Sequence, residues 1–246
     1  MPLVFMINFF HVILYQPLIN ILLLIYKFTA QDFGLAVIVL TILIRLALLP
    51  LTKKSITAQK AMSSLSPKIQ ALKEKHKDNK EAQTKALMEL YQKEKISPFS
   101  GCLPILIQLP ILWTLYNVLI SSLKTVNASD IYPFLSNFIV SFKEPYSFLG
   151  LVNMATPNIF LAFLAGVLQL IQSYQMVRYQ NFKSSGPSDI AASLNKNMTF
   201  ILPIMTFFIS WKLPAALALY WATTTLISIF QQLYIVYYER KNKIAN

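Results

Sequence analysis

The sequence predicts an all-α membrane protein with five transmembrane helices, a polar helical hairpin outside the membrane and an N-terminal amphipathic helix. Three observations support this. The chain of 246 residues is 55% hydrophobic and only 13% charged, and its mean hydropathy is +0.51, outside the usual range of soluble proteins. Its apolar residues fall into long stretches. Of its 22 Lys and Arg residues, 11 lie in one block between Lys53 and Lys95.

The first apolar stretch, Phe9 to Tyr26, is interrupted by polar residues. On a helix, Gln16, Asn20 and Lys27 would project within about 40° of one another, leaving an apolar face opposite. We therefore predict that residues 1–31 are an external N-terminus whose helix lies in the membrane interface. A sixth transmembrane helix is the alternative. No Lys or Arg precedes Lys27, so a cleavable signal peptide with a basic start is not expected.

The first predicted span, residues 32–52, carries a charge inside its apolar run. Asp32 is a plausible helix N-cap, and Phe33 to Thr52 has about the length of one bilayer crossing. Arg45 lies eight residues before Lys53, roughly 12 Å inside the boundary. A cation at the centre of a span costs about 2.5 to 3.5 kcal/mol, and such residues are functional by default. The alternative is snorkelling of the side chain to the interface.

Residues 53–97 form the one strongly polar block, and we predict a cytosolic, coiled-coil-like hairpin. Apolar residues recur at spacings of four and three from Ala58 to Leu72. Ser66-Pro67 is typical of a helix start, and Asp78-Asn79 predicts a turn. A merely solvated connector is the alternative. The cationic surface expected to bind partners consists of Lys68, Lys73, Lys75, Lys77 and Lys80.

Residues 98–238 hold four further predicted spans, at about 104–123, 157–177, 197–211 and 214–238, and residues 239–246 form a short basic tail. Five spans place the hairpin, the loop 178–196 and the tail on one side. That side holds 17 of the 22 cations. Since basic loops face the cytosol, we expect the N-terminus outside and the C-terminus in the cytosol of a cell membrane.

Polar residues within the spans predict a hydrated interior groove. Groups facing lipid would lack hydrogen-bond partners, so they should face the bundle interior. Hydrogen bonding between helices is the plainer explanation for any single Ser or Thr. Tyr220 begins a stripe that continues through Thr224, Ser228 and Gln231 at helical spacing. The candidate groove residues are Thr41, Arg45, Gln108, Gln169, Gln172, Tyr220 and Trp221.

Several classes of function are disfavoured. Apart from the capping Asp32 at the start of the first, none of the predicted spans contains Asp or Glu, which proton-coupled and sodium-coupled transporters usually need. The sequence has no zinc-protease, nucleophile-elbow or phosphate-loop motif. One cysteine, Cys102, and two distant histidines, His11 and His76, cannot form a disulfide framework or a Cys/His metal site. We therefore expect no enzyme activity, no cofactor and no metal.

The sequence resembles the YidC/Oxa/Alb family of membrane protein insertases over about residues 10–240. The matching segments occur in the family's order. They are TILIRLALLPLTKKS at 41–55, SPKIQALKEKHKDNK at 66–80, SPFSGCLPILIQLPILWTLY at 97–116, LPAALALYW at 213–221 and SIFQQ at 228–232.

This resemblance implies a bacterial inner-membrane protein with a cytosol-facing hydrophilic groove closed toward the outside. It implies that Arg45 is the groove arginine, with Thr41, Gln108, Gln169 and Trp221 at or near groove and contact positions. Implied partners are nascent membrane proteins, the ribosome and targeting machinery, the Sec translocon and the lipid bilayer, but not DNA. The sequence departs from the family by lacking a large external domain, an N-terminal lipid-bearing cysteine and a long C-terminal tail.

Two functions of other classes remain open. A small-solute or ion channel could use the same hydrated cavity, and a membrane assembly scaffold could pack helices of other proteins without inserting them.

Overall fold

The structure is a computed structural model and is mostly helical. It describes residues 9, 11–95, 103–124, 126–136, 142, 144, 146–180 and 190–244. Predictions for the remaining positions, including Cys102 and Lys183, lie outside the described residues.

The N-terminal segment begins with a π-helical turn, His11–Tyr15, and continues as helix α1, Gln16–Phe28. Its outer face is apolar, because Ile21, Leu24 and Phe28 are exposed. Asn20, by contrast, is only 2% exposed. The prediction of a polar stripe facing the interface is therefore wrong at Asn20, which points into the protein because buried backbone groups there bind its amide.

The first predicted span is broken. Helix α2, Phe33–Ala47, begins where predicted, since the Asp32 side chain accepts a hydrogen bond from the Leu35 amide at 2.8 Å. It ends at Leu48, and helix α3, Leu49–Ser64, continues at a bend of 60°. The physical reason is Pro50, which has no N–H to donate to the carbonyl of Leu46 and whose ring crowds it. The predicted span over 32–52 therefore contains a bend at Leu48.

The helical hairpin is present. Helix α4, Ser66–Lys75, has its proline in the first turn, and helix α5, Lys80–Lys93, returns after a turn in which Asn79 caps the Ala82 amide. The expected seam is half-buried, and Leu65 is its most buried member at 3% exposure. The structure thus has two helices joined by a turn at the predicted position, although Ser66 is the first residue of the helix and not its cap.

Beyond the hairpin, the described residues form helices and one small sheet. Helix α6 is Leu103–Ser122, the 3-10 turn is Ala128–Asp130, helix α7 is Pro133–Ser136, strand β1 is Ser147–Phe148 and strand β2 is Val152–Asn153. Helix α8 is Ile159–Gln180, helix α9 is Ile190–Lys212 and helix α10 is Ala215–Ile244. Helix α10 runs through most of the predicted tail, because no helix-breaking residue separates the tail from the span.

The small β-hairpin joins the starts of two helices. Gly34 lies so close to Phe148 that a Cβ atom at this position would clash with the Phe148 side chain. At the start of α10, the amide of Ala215 donates to the carbonyl of Thr156 at 2.9 Å. Helices α2 and α10 therefore begin at the same end of the molecule and run in parallel. The core behind this end is aromatic, with Phe33 packed edge-on against Tyr146.

By length and composition, two of the described helical segments could cross a membrane. They are His11–Phe28 and Ile159–Arg178, and the bent pair of α2 and α3 would be a third if it counts as one span. Thr199–Lys212 is a shorter apolar segment. This criterion does not confirm five spans, and it includes the segment that we predicted to lie in the interface.

Candidate functional site

Arg45 lies half-buried in the last turn of α2. Its Nε donates a hydrogen bond to Oγ1 of Thr224 on α10 at 2.6 Å. Thr224 is 6% exposed. Among the described residues Arg45 has no carboxylate partner, so its charge is held by a neutral hydroxyl alone. A cation placed in this way can accept a negative group from another molecule.

The side chain of Arg45 points away from the polar hairpin. Its backbone carbonyl accepts a hydrogen bond from Nε2 of Gln231 at 3.5 Å, whereas its side chain reaches Thr224. Thr224 lies seven residues before Gln231 on α10, roughly 10 Å closer to the start of that helix. Because α2 and α10 run in parallel, this is also the direction of the start of α2. The side chain of Arg45 thus points toward the start of α2, whereas snorkelling toward Lys53 would take it toward the end of α2.

A second contact extends the site to α6. Nε2 of Gln108 donates to the hydroxyl of Tyr220 on α10 at 2.8 Å, and Tyr220 is 3% exposed. Arg45 and Thr224 are electrostatic neighbours of this hydroxyl. We refer to Arg45, Gln108, Tyr220 and Thr224 as the Arg45 cluster. Three helices that are far apart in sequence thus bring donors and acceptors together.

The other predicted residues are placed differently. Thr41 is 2% exposed, and its hydroxyl donates to the Val37 carbonyl of its own helix at 2.6 Å. Gln169 and Gln172 are half-buried on α8, and Trp221 is half-buried beside Tyr220. Within the described residues none of these three forms a hydrogen bond with the Arg45 cluster. The structure therefore brings together Arg45, Gln108 and Tyr220 from the predicted set.

Sequence reasoning missed three contributors. Thr224 and Gln231 were seen as parts of a polar stripe, but not as the partners of the Arg45 side chain and backbone. Gln175 on α8, only 9% exposed, was not singled out. Its signal was its position three residues after Gln172, which continues the same helical spacing.

The hairpin lysines are not equivalent. Nζ of Lys68 on α4 pairs with Oε1 of Glu94 across the hairpin at 2.5 Å. Lys73 is half-buried, and its carbonyl accepts a hydrogen bond from Nε2 of Gln83 at 2.9 Å. Lys75, Lys77 and Lys80 are exposed. Lys68 is therefore engaged within the hairpin, and the exposed cations of the predicted surface that lie near the turn are Lys75, Lys77 and Lys80.

In the part of the chain that the structure describes, no group of three or more His, Cys, Asp and Glu side chains could hold a metal ion.

Comparisons with known proteins agree with this architecture. The family model for the 60Kd inner membrane protein matches residues 24–243. The chain is similar to a protein of Fusobacterium nucleatum described as membrane protein insertase YidC, with 35% identity over 83% of this chain and 86% of the relative. Proteins with the same description from Pelobacter propionicus and Stutzerimonas stutzeri are 33% and 38% identical over 94% and 83% of this chain.

A solved structure also resembles this chain. A crystal structure of an active YidC insertase with its first transmembrane domain resolved superposes with a TM-score of 0.61 and 29% identity. It covers 91% of this chain and 45% of the solved chain. The chain likewise spans 39% and 32% of the Pelobacter and Stutzerimonas relatives. The match of the family model over most of the chain, together with these relatives, shows that the chain belongs to the YidC family of membrane protein insertases.

Proposed function

We propose that this chain inserts nascent membrane proteins into the bilayer without enzymatic chemistry. The observation that carries the proposal is the Arg45 cluster: a cation inside an apolar bundle, held by a hydroxyl and not by a carboxylate. In this proposal a hydrophilic groove open to the cytosol surrounds the cluster. The hydrophilic end of a client enters the groove, and Arg45 attracts its acidic groups.

Two effects favour movement of the client across the membrane. A groove that reaches partway shortens the barrier relative to the hydrocarbon slab of about 30 Å. The membrane potential contributes about 2.3 kcal/mol per charge per 100 mV to moving an anionic end outward. The apolar segment of the client then moves along the outer faces of α8 and α9 into lipid. Phe160 and Phe163 on α8 and Phe200 and Phe208 on α9 are exposed there.

The same proposal gives the chain an orientation in the bacterial inner membrane. The N-terminus lies outside, and the hairpin and C-terminus lie in the cytosol, because most cations belong to these segments. Lys75, Lys77 and Lys80 then face the cytosol, where their charge suits ribosomal RNA or anionic headgroups. We propose the ribosome and targeting machinery, and the Sec translocon, as partners on this basis.

An insertion assay in liposomes tests the charge role. The chain is purified and reconstituted, and insertion of a model client with an acidic translocated end is measured for Arg45→Ala and Arg45→Lys. Losing the favourable interaction with one acidic group is expected to slow insertion about tenfold in Arg45→Ala, as a loss of about 1.4 kcal/mol would. Arg45→Lys keeps the charge and should retain most of the activity.

Arg178→Ala is the matched control, because it removes the same charge from the exposed end of α8. It should insert the client normally. Normal insertion by Arg45→Ala would contradict the charge role. Ion conductance in the same liposomes, with no insertion, would favour a channel, and binding of finished helices alone would favour a scaffold.

A further inference from the structure

Two buried amide oxygens lie beside the Arg45 cluster. Oε1 of Gln175 on α8 and Oε1 of Gln231 on α10 are inaccessible to solvent and have no hydrogen-bond partner among the described residues. A buried acceptor without a donor costs about 1–3 kcal/mol. The two oxygens, which we call the glutamine pair, lie beside neighbouring positions of α10, Ile229 and Gln231, and each can accept a hydrogen bond from another molecule.

Each amide has one described hydrogen bond, which its nitrogen donates. Nε2 of Gln175 faces the Ile229 carbonyl of α10 at 3.4 Å, and Nε2 of Gln231 faces the Arg45 carbonyl at 3.5 Å. A carbonyl oxygen only accepts hydrogen bonds, so each glutamine must turn its NH2 group toward it. Reversing either amide would set two oxygens against each other. In this arrangement both Oε1 atoms lack a hydrogen-bond partner among the described residues.

The oxygens of the glutamine pair can become accessible to a client polypeptide. Both amide contacts exceed the usual N–H···O range of about 2.7–3.2 Å and are therefore weak. The first contact joins α8 to α10 and the second joins α10 to α2, at positions of α10 that are two residues apart. A small separation of α8 from α10 would break the Gln175 contact and expose its oxygen.

Hydrogen-bond donors lie at Thr224, roughly 10 Å along α10 from Gln231. The Arg45 guanidinium has five N–H groups, and its one described side-chain hydrogen bond uses Nε. The remaining N–H groups are available to an acceptor. The site thus offers donors from Arg45 and acceptors from the glutamine pair. Charge attraction toward acidic groups requires only the Arg45 guanidinium and not the glutamine oxygens.

We propose that Arg45 and the glutamine pair together bind the backbone of an extended polypeptide passing through the site. A peptide unit carries one carbonyl acceptor and one N–H donor, which Arg45 and the glutamine oxygens complement. Backbone recognition of this kind does not depend on client sequence, and it gives neutral hydrophilic ends a binding site that charge attraction does not. This inference rests on the proposed insertase function, and it names the chemical group that the site recognises.

The test uses two clients that differ in backbone N–H groups. One has a neutral hydrophilic translocated end, and the other has the same end with alternate residues replaced by proline, which has no N–H. Insertion of both is measured with the reconstituted full chain and with Gln175→Met, Gln231→Met and the double variant. Methionine keeps the length of the side chain and removes the acceptor. Gln92→Met, on the exposed face of α5, is the matched control.

The double variant should insert the ordinary end about 3-fold to 10-fold more slowly, as expected for one or two hydrogen bonds. The proline-rich end should change less than about 2-fold, and Gln92→Met should affect neither client. Since both clients are measured on the same preparation, partial misfolding of a variant lowers both equally.

Three results would overturn the inference. An equal loss with both clients would mean that the glutamines only hold the helices together. No loss with either client would mean that water alone meets the two oxygens. If the unaltered chain inserts neither client, while the same liposomes support insertion by a known insertase, the proposed function fails as well.

Discussion

Two buried polar sites of this chain differ in how far their hydrogen-bonding groups are satisfied; one joins α1 to the turn at Asp130, and the other lies along α10. Asn20 on α1 donates to the carbonyls of Gln16 and Asp130, each at 2.7 Å, and accepts from the amide of Tyr132 at 2.9 Å. We call these four residues the Asn20 network. The glutamine pair, by contrast, leaves both of its oxygens without a donor among the described residues.

The difference in hydrogen bonding suggests a structural role for the Asn20 network and a binding role for the glutamine pair. In the Asn20 network both N–H groups of the amide donate to backbone carbonyls. Asn20 therefore joins α1 to the turn at Asp130, and it has no N–H group left to donate to a ligand. At the glutamine pair the helices use one side of each amide and leave the other. Buried polar groups are normally satisfied, and the two glutamine oxygens are not satisfied by the described residues.

The largest expected effect tests the first half of this comparison. Asn20→Leu would leave the Asp130 carbonyl and the Tyr132 amide buried without partners, at a cost of about 1–3 kcal/mol for each group. We expect a clearly lower midpoint of thermal unfolding in detergent micelles. Asn127→Leu is the control, because Asn127 is exposed and makes no capping hydrogen bond. Equal midpoints for the two variants would show that the Asn20 network does not hold the fold.

A smaller effect is expected at the other site. Gln175→Met removes an unsatisfied oxygen together with one weak hydrogen bond, so the two changes offset each other. We expect the free energy of unfolding to change by less than about 1 kcal/mol, measured by the same thermal unfolding, while insertion of a neutral client falls. A destabilisation as large as that of Asn20→Leu would erase the distinction between the two sites.

The smallest effect is expected where a polar contact is satisfied but exposed. The Lys68 side chain is 61% exposed and pairs with Glu94 across the hairpin, and such pairs contribute about 0.2–1 kcal/mol. Lys68→Met, Glu94→Gln and the double variant should show a coupling in this range by amide hydrogen exchange of α4 and α5. Lys75→Met is the control on the same helix. A coupling energy well above 1 kcal/mol would contradict the expectation that solvent exposure keeps this ion pair weak.

The hairpin was predictable because its signals are local. Ser66-Pro67 starts α4 and Asn79 caps α5, and both depend on neighbouring residues alone. The same holds for Asp32, whose carboxylate caps α2. The break at Leu48 was also encoded locally, by Pro50, but the apolar pattern of the span concealed it. Asn20 was misplaced for a different reason: its partners are 110 and 112 residues away, and no local pattern reports them.

The sequence by itself determined the class of the protein, the position of its single cation in the first apolar span and the polar hairpin, because hydropathy, charge and capping act over a few residues. Only the tertiary structure decided that Thr224 meets the Arg45 side chain, that Gln231 meets its backbone, and that the oxygen of Gln175 has no partner among the described residues. Those outcomes depend on how α2, α8 and α10 pack, and packing between distant segments sets which hydrogen-bonding groups find a partner.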